Sequence, residues 1–213
     1  MMPTQPRSNF SRQPSGRRSQ RDRILIVCED SVAGRLYFED LRIAHGLSTV
    51  DVRVYGGAVC GNAPTSIYTF ALDVYENDRC SEGNRYDKVY CVFDRDGHGD
   101  FDTAIARISG KGPPFQAIPS YPCFEFWVLL HKSASTAPLA NGAAVEREIK
   151  KHWSCYKKNQ KGYRNWYPIL AKDTDKALKN SKSVYKQVTE VGGSNPSTLI
   201  HIVVEHLIRQ GRL

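Results

Sequence analysis

Two aspartates one residue apart, Asp94 and Asp96, follow directly on the apolar run VYCVF in the stretch KVYCVFDRDGH. Aspartate is a poor strand residue, and a buried carboxylate costs free energy unless it is paired or neutralised. Where a buried strand should end, the pair has two uses. Asp94 can cap the following turn while Asp96-Gly97 supplies a left-handed position, a common use of Asp-Gly. Alternatively, the two carboxylates hold a cation. Glu29 ends another apolar run, RILIVCE, and so offers a third carboxylate at a matching strand end. In an open parallel sheet the carboxyl ends of the strands meet the crevice where strand order reverses. Clustered there, Glu29, Asp94 and Asp96 repel one another until a divalent cation neutralises them. A few carboxylates, completed by waters and phosphate oxygens, suit Mg²⁺ or Mn²⁺. Such an ion polarises a phosphoryl group or activates the attacking water.

The elements that must position these carboxylates alternate strand and helix. RILIVCE is apolar, β-branched and too short for a helix, and it reads as a buried strand. Residues 31–46 carry a helical face that Gly46 stops, and STVDVRVYGG alternates as a second strand. PTSIYTFALDVY is a second helix with proline in its first turn, KVYCVF a third strand, and DFDTAIARISG a third helix. In that third helix Asp100 or Asp102 is a cap and Gly110 the stop. FQAIPS is a short strand and YPCFEFWVLLH is part turn, part helix. This order predicts a doubly wound α/β sheet over residues 22–133. After the linker SASTAPLANGAA, residues 134–213 read as a basic helical region docking on it. AAVEREIKKHW, TDKALKNSKSVYKQV and NPSTLIHIVVEHLIRQ are its helices, the last with Ser194 or Asn195 as cap and Pro196 in the first turn.

Charge is unevenly spread along the 213 residues, whose formal net is +8. Residues 1–23 hold six arginines and one aspartate, and residues 147–190 hold twelve Lys/Arg against four Asp/Glu, so what remains is acidic. A basic surface around an acidic centre suits a polyanion held against a metal site. A solvated, lysine-rich helical face is the other reading. Residues 1–21 lack a periodic apolar face and read as a disordered basic arm, without the apolar core of a secretory signal. No run approaches the eighteen or so apolar residues of a membrane span. The six cysteines form no C-x-x-C pair, and three of them, Cys28, Cys91 and Cys123, lie within apolar runs, so free thiols in the cytoplasm are expected. Walker loops, dinucleotide-binding glycine fingerprints and Ser or Cys nucleophile motifs are absent.

Four stretches, ILIVCED…YFEDL, KVYCVFDRDGH, PSYPCFEFWVLLH and NPSTLIHIVVEHLI, resemble the signatures of RloB-like (AbiLii-type) proteins of bacterial defence islands. The resemblance covers most of residues 22–209 and is most specific in YPCFEFWVLLH. It implies a Toprim-like domain with a glutamate after the first strand and Asp-x-Asp after the third. Those positions fall on Glu29, Asp94 and Asp96. It further implies a Mg²⁺-dependent nuclease acting on tRNA or DNA. That nuclease would be the effector of an anti-phage or abortive-infection system with an ATPase partner of the RloA or AbiLi kind. Self-association into a homo-oligomer is left open.

In one loop the chain departs from the family's pattern. Where the family commonly has glycine and then Thr-Glu, this chain has Asp30, Ala33 and Gly34. Asp30 can compensate, although neighbours in an extended chain point apart. Glu125, flanked by Phe124, Phe126 and Trp127, is a further metal-ligand candidate, or else pairs with a buried arginine or backbone donor. His98 suits a proton shuttle or phosphate ligand, or is merely solvated. Lys157, Lys158, Lys161 and Arg164 interleave with Tyr156, Tyr163 and Trp166, a pattern for phosphates and unstacked bases; equally, the aromatics can be core and the lysines a solvated face. A catalytically degenerate subunit that binds nucleic acid or the ATPase without cleaving is the alternative function.

Overall fold

The computed structural model of the chain describes residues 21–30, 32–79, 85–95, 97–157 and 166–213. Strand β1 (Ile24–Cys28) leads to α1 (Ala33–Ala44), β2 (Val52–Tyr55), the single turn α2 (Gly57–Cys60) and α3 (Pro64–Arg79). Then follow β3 (Lys88–Asp94), α4 (Phe101–Lys111), β4 (Phe115–Tyr121), α5 (Glu125–Leu130) and α6 (Gly142–His152). The chain ends with α7 (Trp166–Leu170), α8 (Thr174–Glu190), β5 (Ser197–Thr198) and α9 (Ile200–Gly211). Among the described residues one sheet has the order β2-β1-β3-β4-β5, parallel except for the β4–β5 pair.

Every residue of β1 is buried, as expected for a central strand covered on both faces. Its alternate side chains serve two cores. Ile24, Ile26 and Cys28, with Tyr90 and Val92 of β3, pack against α1, α5, α6, α8 and α9. Leu25 and Val27, with Val89, Cys91 and Phe93, face α3 and α4. Each fully buried branched or aromatic side chain contributes about 1.5–3 kcal/mol. The helices show the matching period: Phe101, Ala104 and Ile108 are the buried stripe of α4, and Ala177, Ser181, Val184 and Val188 belong to that of α8. The described cysteines Cys28, Cys60, Cys91, Cys123 and Cys155 are free thiols. No described helix is long and apolar enough to cross a membrane.

Three local expectations are corrected. The last helix does not begin at Pro196. Ser197 and Thr198 instead pair antiparallel with Tyr121 and Ser120 of β4, and the helix starts at Ile200. A free strand edge offered these residues ladder partners, which outweighed the local capping signal. Helix α4 runs through Gly110 and stops at Gly112, whose φ of +66° is the left-handed position that glycine adopts without strain. Asp100 stands at the start of α4 but does not cap it. Its Oδ2 accepts hydrogen bonds from the N–H and Oγ1 of Thr65, at 2.9 and 2.5 Å, and so closes the first turn of α3.

Candidate active site at the carboxyl edge of the sheet

Strand β1 is flanked by β2 on one side and β3 on the other, so the order reverses between β1 and β3 at their carboxyl ends. Glu29 follows β1 and Asp94 ends β3 at this point. The ladder register sets them side by side: Cys28 pairs with Val92, and the Glu29 N–H donates to the Val92 carbonyl at 2.9 Å. The Glu29 carboxylate then bridges the crevice. Its Oε2 accepts the backbone N–H of Asp94 at 2.9 Å, and its Oε1 lies 2.7 Å from His98 Nε2. With Glu29 ionised, His98 must carry its proton on Nε2. Burial raises the Glu29 carboxyl above its ordinary value, opposed by the Asp94 N–H and by His98.

The loop that carries Asp96 is held at both ends. The Arg95 N–H extends the β3–β4 ladder to the Ser120 carbonyl, and its guanidinium donates to the His98 carbonyl at 3.0 Å while lying over the Phe101 ring. Gly97, at φ +80°, supplies the left-handed turn. Asp96 itself lies outside the described residues, so the expected trio is placed here for Glu29 and Asp94 only. Among the described residues no group of three His, Cys, Asp or Glu side chains is set to hold a metal ion.

The remaining candidates fall elsewhere. Asp30 starts α1: its two oxygens accept the N–H groups of Val32 and Ala33 at 2.7 and 2.9 Å, which occupies the carboxylate with backbone. Glu125 opens α5 with 2% exposure, and its charge helps burial to raise the hydroxyl pKa of the buried Tyr156. Lys157 is exposed beside that core tyrosine, whereas Lys158, Lys161 and Arg164 lie outside the described residues. Of the interleaved aromatics, Tyr156 is therefore core.

Sequence reasoning missed what supports Glu29 from behind. The turn α2 presses its first residue against the β1 end: a Cβ on Gly57 would lie 2.1 Å from the Glu29 carbonyl oxygen and 2.4 Å from Asn62 Oδ1. In the same turn Cys60 Sγ approaches the Cys28 carbonyl at 3.3 Å. The signal was present as Gly56-Gly57 directly after β2, since glycine at a strand end marks close backbone approach.

Neither the curated proteins nor the solved structures compared with this chain gave a match. The family model described as RloB-like protein matches residues 24–207, which carry both cores and the Glu29–Asp94 crevice, and the chain belongs to that family.

Proposed function

We propose that the protein is a metal-dependent nuclease of Toprim type that hydrolyses phosphodiester bonds in tRNA or DNA. In this reading it is the effector of an anti-phage system with an ATPase partner. The observation that carries the proposal is the Glu29–Asp94 bridge at the switch point, because it ties together the ends of the two strands that carry these acids at one crevice. That donor set fits Mg²⁺ or Mn²⁺, and Glu29, Asp94 and Asp96 would hold the ion. A bound ion supplies Lewis-acid polarisation of the phosphodiester and an activated water. Glu29 Oε1 and His98 Nε2 lie 2.7 Å apart, and in this reading His98 is the proton carrier beside the reacting centre. Asp30 is committed to starting α1, so it serves the site by fixing the loop after Glu29.

A second reading has its own support. With Asp30 engaged by backbone and no acid at Ala33 or Gly34, this loop turns a single carboxylate, Glu29, toward the crevice. A degenerate subunit that binds nucleic acid or the ATPase without cutting would have that composition. Labelled tRNA, plasmid and single-stranded DNA incubated with Mg²⁺ or Mn²⁺, with and without the ATPase, separate the two. The nuclease reading expects cation-dependent cleavage that Glu29→Gln abolishes. Retained binding with no cleavage of any substrate gives the second reading.

A further inference from the structure

At the opposite, amino-terminal edge of the sheet lies a second polar cavity, of about 340 Å³. The six-residue advance along β3 from Lys88 to Asp94 puts it about 20 Å from the Glu29 crevice. Its floor is Tyr90, His201 and His206, all nearly inaccessible to solvent, and Lys88, Lys182 and Arg209 stand around it. That volume lies at the lower end of the range of small-ligand pockets.

The hydrogen bonds fix what the floor presents. Tyr90 Oη and His206 Nδ1 are 2.9 Å apart, and His206 Nε2 is 2.8 Å from Asp22 Oδ2. With the imidazole neutral, Tyr90 donates to Nδ1 and Nε2–H donates to Asp22, so both nitrogens are used. Ser181 donates to the Thr198 carbonyl at 3.1 Å and therefore accepts from His201 Nδ1 at 2.9 Å. His201 Nε2 is left as that ring's remaining site. Burial lowers the pKa of both histidines, which keeps them uncharged while the cavity is empty of anions.

The charges do not cancel. Lys182 is paired with Glu205, and Asp22 accepts from the neutral His206 and keeps its charge, so three cations face two carboxylates and the lining is net positive. Lys88 and Arg209 then face the cavity with no carboxylate partner among the described residues. Two cations from different elements without a salt-bridge partner among the described residues, beside the one imidazole nitrogen that the floor leaves open, match an anion with several acceptor oxygens. His201 Nε2 either accepts from a monoprotonated phosphate or becomes a third cation beside a dianionic one.

We infer that this cavity is a phosphate-binding site, separate from the carboxylate crevice, which takes a phosphate monoester or a backbone phosphate of a nucleic acid. Lys88 and Arg209 hold the anion and His201 reads its protonation. Asp22, at the junction with the basic N-terminal segment, forms part of the same wall.

The test uses the full chain at fixed ionic strength. Inorganic phosphate, adenosine monophosphate and a short single-stranded oligonucleotide are titrated while the imidazole NMR signals of His201 and His206 are followed. The parent protein should show saturable shifts of both signals. The double variant Lys88→Gln/Arg209→Gln, at a half-buried and an exposed position, should weaken binding about tenfold or more. Lys150→Gln/Lys151→Gln on α6 should not, which separates the site from general charge loss, and Glu29→Gln should bind as the parent does, which separates it from the nuclease reading. Shifts with phosphate and the mononucleotide identify a small ligand; shifts with the oligonucleotide alone identify a backbone phosphate. No shift with any probe, or equal binding by the Lys88/Arg209 variant with an unchanged melting temperature, overturns the inference.

Discussion

The Glu29 carboxylate accepts the backbone N–H of Asp94 at 2.9 Å, joining the ends of two adjacent parallel strands through a side chain rather than a ladder bond. The acid that would bind a cation therefore also fixes the backbone from which its partner acid projects. Burial makes the ionised form of Glu29 costly, and the Asp94 N–H and His98 recover part of that cost.

Replacing Glu29 by Gln tests this balance. The raised carboxyl pKa means that the folded state holds a proton more readily than the unfolded chain. The site's contribution to stability is thus greatest below the ordinary value of 4.5 and declines as pH rises toward the folded value. Gln removes the charge and keeps one oxygen for the Asp94 N–H. At neutral pH the melting temperature should stay level or rise, within about 1 kcal/mol of stability. Asp94→Asn should behave likewise. Both should abolish cleavage and weaken Mg²⁺ binding measured by calorimetry. Intact cleavage in both variants would remove the case for chemistry at this crevice.

Gly57 gives a steric test. Its hydrogen faces the Glu29 carbonyl, where a methyl carbon would lie 2.1 Å away, and backbone cannot yield as a flexible side chain does. Gly57→Ala should cost about 1–3 kcal/mol by overpacking. For a chain of this size that lowers the melting temperature by roughly 2–4 °C per kcal/mol. Gly34→Ala is the comparison. Its Cβ would meet the Phe124 ring at 3.4 Å and Cys28 Cβ at 3.8 Å, an ordinary contact, so its thermal shift should be small.

What was legible in the sequence was local. Strands β1 and β3 announced themselves by continuous apolar runs, α1 by its helical face, and α3 by the proline in its first turn. The positions of Glu29 and Asp94 followed from strand–helix alternation alone. What failed depended on distant partners. Ser197 and Thr198 became a strand because β4 had a free edge, and no neighbour of Pro196 in the chain encodes that edge. Asp100 reads as a cap for its own helix, yet Thr65, thirty-five residues away, takes its carboxylate. Asp30, read as an acid that could compensate beside Glu29, has its two oxygens engaged by the nearby N–H groups of Val32 and Ala33, a local arrangement that the sequence did not announce.

Deleting residues 2–20 should leave the melting temperature unchanged, because the interactions at the start of the described chain remain. Arg21 donates to the Gly46 carbonyl at 3.3 Å, and the Asp22 N–H donates to Gln210 Oε1 at 3.0 Å. The deletion removes Arg7, Arg12, Arg17 and Arg18. Nucleic-acid affinity should fall, and its salt dependence should become shallower by about 0.9 in logarithmic slope for each phosphate that the arm no longer neutralises. Binding measured over a range of salt concentrations reads this. A lower melting temperature would show that the segment packs on the fold.

His131 sets an acid limit on stability. It is fully buried, its Nδ1 lies 2.9 Å from the Trp127 carbonyl, and desolvation pushes its pKa from 6.5 down to about 4. Lys132 lowers it further, while the Trp127 carbonyl and Asp173 oppose the shift. The unfolded chain takes up a proton here before the folded protein does. The stability linked to this ring is therefore complete above 6.5 and is lost as pH falls toward about 4. A gap of that size corresponds to about 3 kcal/mol. His45, His201 and His206 are also lowered by burial and act in the same direction. Urea unfolding at about pH 7 and about pH 5 should show a marked loss of stability at the lower value. In His131→Gln the difference between the two pH values should shrink, whatever the variant's absolute stability, because Gln has no proton to gain. An undiminished pH dependence in that variant would place the acid sensitivity elsewhere.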